Sequence, residues 1–352
     1  MTSELEKYYA TNYSLCNCHD SFLSAWQGLA ILTHAVQVVS LPFQVLAFYI
    51  IMTKTPSAMS AMKVPLLANH ACYALLDVFI CTMITPFVHY HSLGFQCFGV
   101  FNFLGVSIWF QLASGVVVCM TLIASYLFVF EARSSCLQMS KFSITNPSYR
   151  VVYHLLANLI LFSGILYLWM IPEDQETARL KSSETEPCPA KEFFEYDILI
   201  LSTDQKMVRF VKWIHLPLVA VNLMVNAGFH FICTVYHLYI APSTTISKET
   251  RKMQQRFFRE IVLHTSIPGL FMCSIIVAFL LDEFADVLNQ TRINSIVVLF
   301  STHSILESIG VILIHKVYRQ AVWTMIMSKL RIKPNVARRV SPVPNIERTI
   351  II

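Results

Sequence analysis

Hydrophobic residues along this chain gather into long runs rather than alternating with polar ones. Residues 21–53 carry no Asp, Glu, Lys or Arg, and neither do residues 99–130. A helix that crosses a bilayer needs about 20 mostly apolar residues. The runs predict seven such helices, at 26–52, 64–88, 98–130, 151–171, 213–240, 261–281 and 293–314. They are rich in Leu, Ile, Val and Phe without strand-like alternation, which argues against a membrane β-barrel. The hardest division falls in the uncharged block 78–130, where the polar stretch His89–Gln96, with Gly94, marks the turn between the second and third helices. Pro42, Pro65, Pro86, Pro217 and Pro268 lie inside or beside these runs and predict kinks. The pattern divides the chain into an N-terminal segment 1–25, a helical domain 26–319 and a tail 320–352. Residues 318–330 read as a short amphipathic surface helix. Beyond them Pro334, Pro342 and Pro344 with Arg338-Arg339 read as a mobile end.

Composition agrees. Hydrophobic residues make up 55% and charged residues 13% of 352, with a mean hydropathy of +0.57. Soluble domains carry about 25% charge, so a soluble enzyme and a disordered chain are both excluded. The class is an all-α membrane protein, a seven-helix bundle whose first partner is the lipid bilayer. The net charge of +5 would, taken alone, suit a nucleic acid, but its placement reads differently. With the N-terminus outside, the inner segments hold 18 Lys and Arg and the outer ones 8, six of them beside nine acids in the loop 172–212. The positive-inside rule therefore puts the N-terminus outside and the C-terminus in the cytoplasm, with no nucleic-acid partner. Two glycosylation sequons, at Asn12 and Asn289, fall on the predicted outer side. Asn146-Pro147-Ser148 is disqualified by its proline and falls inside. Residues 1–20 lack the apolar core of a cleavable signal, so the first helix is expected to direct its own insertion.

Several of the ten cysteines sit within apolar runs, as small buried hydrophobes do. No Cys-x-x-Cys pair is present, and Cys16 and Cys18 are too close for a zinc knuckle, so neither a metal nor a cofactor is expected. Cys97, at the outer start of the third helix, and Cys188, in the long outer loop, both face an oxidising compartment, and a disulfide between them is expected. Pairing of Cys188 with Cys16 or Cys18, or a free Cys188, are the alternatives.

Seven helices with an outer N-terminus fit a G-protein-coupled receptor. A small-molecule transporter or ligand-gated channel is the alternative, although the sequence shows neither internal repeats nor a filter motif. His303-x-x-x-Glu307 is not the His-Glu-x-x-His of a metalloprotease, and the seventh helix has no lysine for retinal. No enzyme is expected. At the inner end of the third helix, Glu131 precedes Arg133 by two residues, in the place of an acid–arginine switch that would release its arginine towards a G protein. Arg251, Lys252, Arg256 and Arg259 extend the sixth helix inwards, to meet a G protein or anionic lipid heads. Asp77, His303 and Glu307 are ionisable residues within the membrane, and such groups are costly there unless paired or functional. An Asp77–His303 or Asp77–Glu307 contact is expected, as a switch or as a static bond. Gln37, Asn69, His70, Gln111, Asn158, Asn222, Asn226, His230 and His264 read as helix–helix hydrogen bonds. A ligand pocket is expected between the outer halves of helices three, five, six and seven. Phe101, Phe103, Trp109, Phe110, Gln111 and Trp213 are its candidate lining.

Ordered motifs along this frame resemble those of the nematode serpentine chemoreceptors of class H. They run from Lys54-Thr55-Pro56 and Leu66-Leu67-Ala68-Asn69-His70 through Leu76-Asp77, Thr85-Pro86-Phe87 and Phe130-Glu131-Ala132-Arg133. They continue with Ile171-Pro172-Glu173-Asp174-Gln175, Pro187-Cys188-Pro189, Gln255-Arg256-Phe257-Phe258, Ser266-Ile267-Pro268, His303 and His315-Lys316-Val317-Tyr318-Arg319. Val317 stands where the family more often has proline. The resemblance spans about Pro42 to Arg319. It implies a chemosensory receptor for an unidentified small molecule, coupled to a heterotrimeric G protein in the membrane of a sensory neuron and its cilia.

Overall fold

A computed structural model of the chain describes residues 4–13, 16, 21–137, 143–241, 247–285 and 287–329. The mobile end expected after residue 329 lies outside them, as does Cys18. Among the described residues six helices are long and apolar enough to cross a membrane: Trp26–Lys54, Ser60–Ile84, Ile108–Ser135, Gln205–Ile240, Lys248–Phe284 and Gln290–Ile314. The remaining span, fourth in chain order, is a pair, Pro147–Ala157 and Leu159–Met170, bent by 49°. The hydrophobic run 151–171 predicts one helix. The break falls at Asn158, whose side chain donates to the His154 carbonyl (2.8 Å) and so competes with the backbone ladder.

The bundle buries small and polar side chains along its helix contacts and leaves large apolar ones such as Val38, Leu155, Trp169, Met224 and Leu270 on its flanks. That inversion of a soluble protein suits hydrocarbon as the solvent. Pro42 and Pro268 lie inside their helices, whereas Pro217 stands near the start of a regular stretch and Pro86 in a strand. Span seven is itself interrupted at Thr302, between Gln290–Ser301 and His303–Ile314. After it the helix Lys316–Lys329 turns away, and the buried Tyr318 hydroxyl meets Thr55 Oγ1 at 2.8 Å, tying this helix to the end of span one.

One end of the bundle carries a cap that the hydrophobic pattern does not announce. Span two stops at Ile84, ahead of where its apolar run ends. Strands β1 (Pro86–His89) and β2 (Gly94–Cys97) form an antiparallel hairpin, and β3 (Leu199–Ile200) pairs with β2. Two glycines fix this geometry. A Cβ on Gly94 would lie 2.4 Å from the Ile198 side chain, and one on Gly99 would lie 2.4 Å from the Met83 carbonyl oxygen. Span three consequently starts at Ile108, after a short turn of helix Val100–Phe103, and not at residue 98.

Over the hairpin lie the helices Gln175–Thr185 and Glu192–Glu195, packed on Ala178, Phe193, Ile198 and Ile200. Gln96 Nε2 donates to the Glu192 carbonyl (2.7 Å), Ser182 Oγ to the Ser92 carbonyl (2.8 Å) and the Trp26 backbone N–H to Glu192 Oε1 (3.2 Å). The expected Cys97–Cys188 disulfide does not form. Cys188 is bonded to Cys16, which fastens the N-terminal segment over the loop. Cys97 is a free thiol packed with Ile84 and Phe95, and burial pushes it up to about 12. It packs inward from β2, whereas the Pro187 carbonyl beside Cys188 accepts a hydrogen bond from the Tyr8 hydroxyl of the N-terminal segment (3.1 Å). Among the paired alternatives open to Cys188, Cys16 is the one observed.

Candidate functional site

Directly beneath the hairpin the helices leave a cavity of about 570 Å³. Pro86, Val88 and Phe95 form its roof. Leu76, Phe79, Ile80 and Ile84 of span two, Leu112 to Ile123 of span three, Leu161, Gly164 and Tyr167 of span four, Val211 to Val219 of span five, and Ile296, Val297 and Phe300 of span seven contribute its walls and floor. Its volume sits inside the range of about 300–1,000 Å³ typical of small-molecule sites. The lining is apolar apart from Tyr167 and His215, whose Oη and Nδ1 are 2.7 Å apart. Span six contributes no lining residue among the described residues, although its outer half was expected to.

None of the six residues expected to line a pocket is among those lining this cavity. Phe103 is 91% exposed on the flank, and Trp109, Phe110 and Trp213 are also exposed there. Gln111 is buried but donates to the Val106 carbonyl (2.7 Å), locking the turn that precedes span three. Phe101 packs edge-to-face on Phe79, behind the wall. Aromatic residues near a helix end favour the membrane interface as readily as a pocket, and the runs of sequence do not distinguish the two. The residues that do line the cavity are mostly Leu, Ile, Val and Phe, the types that also face lipid.

Just below the cavity floor lies a layer of buried polar side chains. Asp77 Oδ2 accepts from Ser40 Oγ and from Gln44 Nε2, each at 2.5 Å, and Gln44 also donates to Ser304 Oγ (2.8 Å). Neither His303 nor Glu307 bonds Asp77, so the expected contact is replaced by partners from span one. Glu307 instead meets His70 Nδ1 of span two at 2.7 Å and His264 Nε2 of span six at 3.3 Å. His303 turns back, its Nδ1 2.7 Å from the carbonyl of Phe300, which is itself on the cavity floor. Four spans thus converge on two carboxylates. His70 and His264 were legible as helix–helix hydrogen-bonding residues. Ser40 and Gln44 were the partners that sequence reasoning missed, and their only signal was spacing by four on a face that also carries Gln37. Asn69 donates to Ser125 Oγ (2.8 Å) and Asn222 to the Ala157 carbonyl (2.7 Å), while His230 bridges Ser134 and Tyr153. Asn226 accepts from the Tyr153 hydroxyl of span four (3.2 Å), whereas the Asn158 side chain bonds within its own helix.

At the far end of the bundle, Glu131 does not hold Arg133. Helix positions two apart point away from each other. Glu131 is fully buried and takes Arg150 of span four (2.6 Å), Ser135 Oγ (2.6 Å) and His154 (3.3 Å). Arg133 reaches the other way: it donates to the Gln254 carbonyl of span six (3.1 Å), and its guanidinium lies 5.5 Å from the Phe257 ring. Arg251 is likewise committed, donating to the Leu238 (2.7 Å) and Ala241 (2.9 Å) carbonyls at the end of span five. Lys252, Arg256 and Arg259 remain exposed, spaced by four and three along one helix face. Asn12 and Asn289 are exposed at the cap end, where Asn289 Oδ1 also accepts from the Arg292 backbone N–H (3.0 Å) and caps span seven.

Comparison with known proteins gives this bundle a family. The model of the serpentine type seven-helix G-protein-coupled chemoreceptor Srh matches residues 24–328. The chain belongs to that family. It is also 27% identical over 326 residues to serpentine receptor class H-72 of Caenorhabditis elegans, covering 90% of this chain and 91% of the relative. The protein is therefore a multi-pass membrane protein of a chemoreceptor family, and that family is one of receptors rather than enzymes. The matched residues take in the hairpin with the loop helices over it, the cavity and the polar layer.

Proposed function

We propose that this protein is a chemosensory receptor that binds a small molecule in the cavity under the cap and activates a heterotrimeric G protein at the opposite end. The observation that carries this reading is the position of the cavity floor. Phe300 lies on that floor, its carbonyl holds His303, and the break in span seven at Thr302 lies between them. Beyond the break, Glu307 joins span seven to span six through His264, and span six holds Arg133 through the Gln254 carbonyl. A ligand pressing on Phe300 would bias the two segments of span seven, shift span six and release Arg133. A ligand can drive such a change only through unequal affinity for two arrangements, and the one-residue interruption at Thr302 in the otherwise continuous span Gln290–Ile314 is where the two would differ.

In this reading the cap faces outside, the acidic loop 172–212 with it. Arg133, Lys252, Arg256, Arg259 and the tail from residue 320 face the cytoplasm. The three exposed cations of span six would meet the G protein and anionic lipid together. Asn12 and Asn289 would carry glycans, and a sensory neuron's cilium would be the site of action.

The test is reconstitution in lipid nanodiscs with a purified heterotrimer, scored as ligand-dependent nucleotide exchange on Gα. Exchange should rise with ligand and fall in Arg133→Ala while ligand binding persists. Ligand-gated current or solute flux in liposomes without any G protein would overturn the reading in favour of a channel or transporter.

A further inference from the structure

The cavity lining specifies a chemical class of ligand. We propose that the molecule is uncharged, mostly hydrocarbon, and carries one hydrogen-bonding oxygen, which is read by His215 with Tyr167 behind it. This inference rests on the cavity being the ligand site.

No Asp, Glu, Lys or Arg lines the cavity. An ionised ligand would enter without a counter-charge, at a cost that apolar contact does not recover. A sugar or other polyol fails for a related reason. Each of its hydroxyls would leave water for a wall without partners, and an unmet polar group carries its full desolvation penalty. A pure hydrocarbon would satisfy the walls but not His215. The Nδ1 of that imidazole is taken by Tyr167 Oη at 2.7 Å, and no described residue partners its Nε2. The space beside Nε2 is kept open by a glycine. A Cβ on Gly164 would stand 3.8 Å from His215 Nε2 and 2.8 Å from the Met120 methyl.

The pair also explains tolerance to the kind of oxygen. When the tyrosine hydroxyl donates to Nδ1, Nε2 carries the proton and donates to a carbonyl or ether. When Nδ1 donates to the tyrosine, Nε2 accepts from a hydroxyl. An alcohol, ketone or aldehyde on a compact hydrocarbon skeleton therefore matches the site, whereas its carboxylate or ammonium counterpart does not.

A matched set on one skeleton tests this: menthol, menthone, p-menthane and menthylamine, competing with radiolabelled menthol on the receptor in nanodiscs. Menthol and menthone should compete about tenfold better than p-menthane, the size expected for one hydrogen bond, and menthylamine should not compete. Tyr167→Phe and His215→Leu should bring menthol and p-menthane to near parity. Val116→Trp, which fills the cavity, should abolish binding of every member, with Cys119→Phe as a second filling variant if the first fails to fold. The outcomes separate the two readings. Menthol binding that survives a folded filling variant removes the cavity as the site. Binding lost on filling but with an alcohol preference untouched in His215→Leu leaves the cavity standing and overturns the role of His215. Equal competition by p-menthane in the wild type, or a preference for menthylamine, overturns the ligand class, as does a lack of saturable binding by every neutral member.

Discussion

The cavity and the polar layer beneath it are neighbours built on opposite principles. The cavity has room and almost nothing that holds a polar group. The polar layer has partners for both of its carboxylates, in bonds that join four spans. In a bilayer, where an unpaired polar group costs several kcal/mol, the layer is where spans one, two, six and seven are pinned to one another. The cavity is where the structure can lose or gain an occupant without breaking a bond. The contrast teaches that stability and ligand response in this receptor should respond to different substitutions.

The most severe test is Glu307→Ala. It strands His70 and His264 in the bundle interior, and removing one member of a buried pair costs about 3–5 kcal/mol. A thermal unfolding scan in detergent should show the loss, and wild-type stability in this variant would break the comparison.

Next comes acid, acting on the roof rather than the floor. His89 is buried in β1 with Nε2 2.9 Å from Gln96 Oε1, and burial, with Arg179 nearby, lowers it from 6.5 to about 4. The unfolded cap therefore binds a proton that the folded cap refuses. Stability contributed by neutral His89 is present above pH 6.5 and drains as pH falls towards 4, by up to roughly 3 kcal/mol. Glu186 and Glu192, pushed upward by burial, act in the opposite direction. The readout is accordingly the difference in hydrogen exchange across the cap between wild type and His89→Gln, and identical acid profiles would count against this account.

Gln44→Leu should cost less, about 1–3 kcal/mol, because Asp77 keeps its Ser40 bond and loses one donor. Double-mutant cycles with Ser304→Ala should show coupling, since Gln44 joins the two. Smallest in stability is Val116→Phe in the cavity wall, expected to stay within about 1 kcal/mol of wild type because it fills space that is empty. Its ligand response should nevertheless fall, and an unaltered dose–response curve would mean that cavity and response are unconnected.

Much of the frame was legible in the sequence. Seven apolar runs gave seven spans because hydrocarbon demands length and apolarity and little else. The cap was not legible, since Phe87 and Val88 continue the apolar run of span two and nothing in their hydropathy distinguishes a buried strand from a helix end. Asp77 and Glu307 stood out as acids in apolar runs, but their partners depend on how helices are rotated, which spacing within one helix does not encode. The same limit misplaced Glu131, whose cation lies one span away at Arg150 rather than two residues on. Cys97 and Cys16 were indistinguishable by compartment alone, and the inward face of β2 decided between them.

The bond between Cys16 and Cys188, 172 residues apart, also has a topological meaning. It closes the backbone into a covalent ring that encircles spans one to four and leaves spans five, six and seven as an open arm. A protease nick between spans three and four would leave the molecule a single covalent piece until it is reduced. A nick between spans five and six would release a two-span fragment at once. The helix that holds Arg133 belongs to the arm, so the part of the receptor proposed to move is also the part the ring does not enclose.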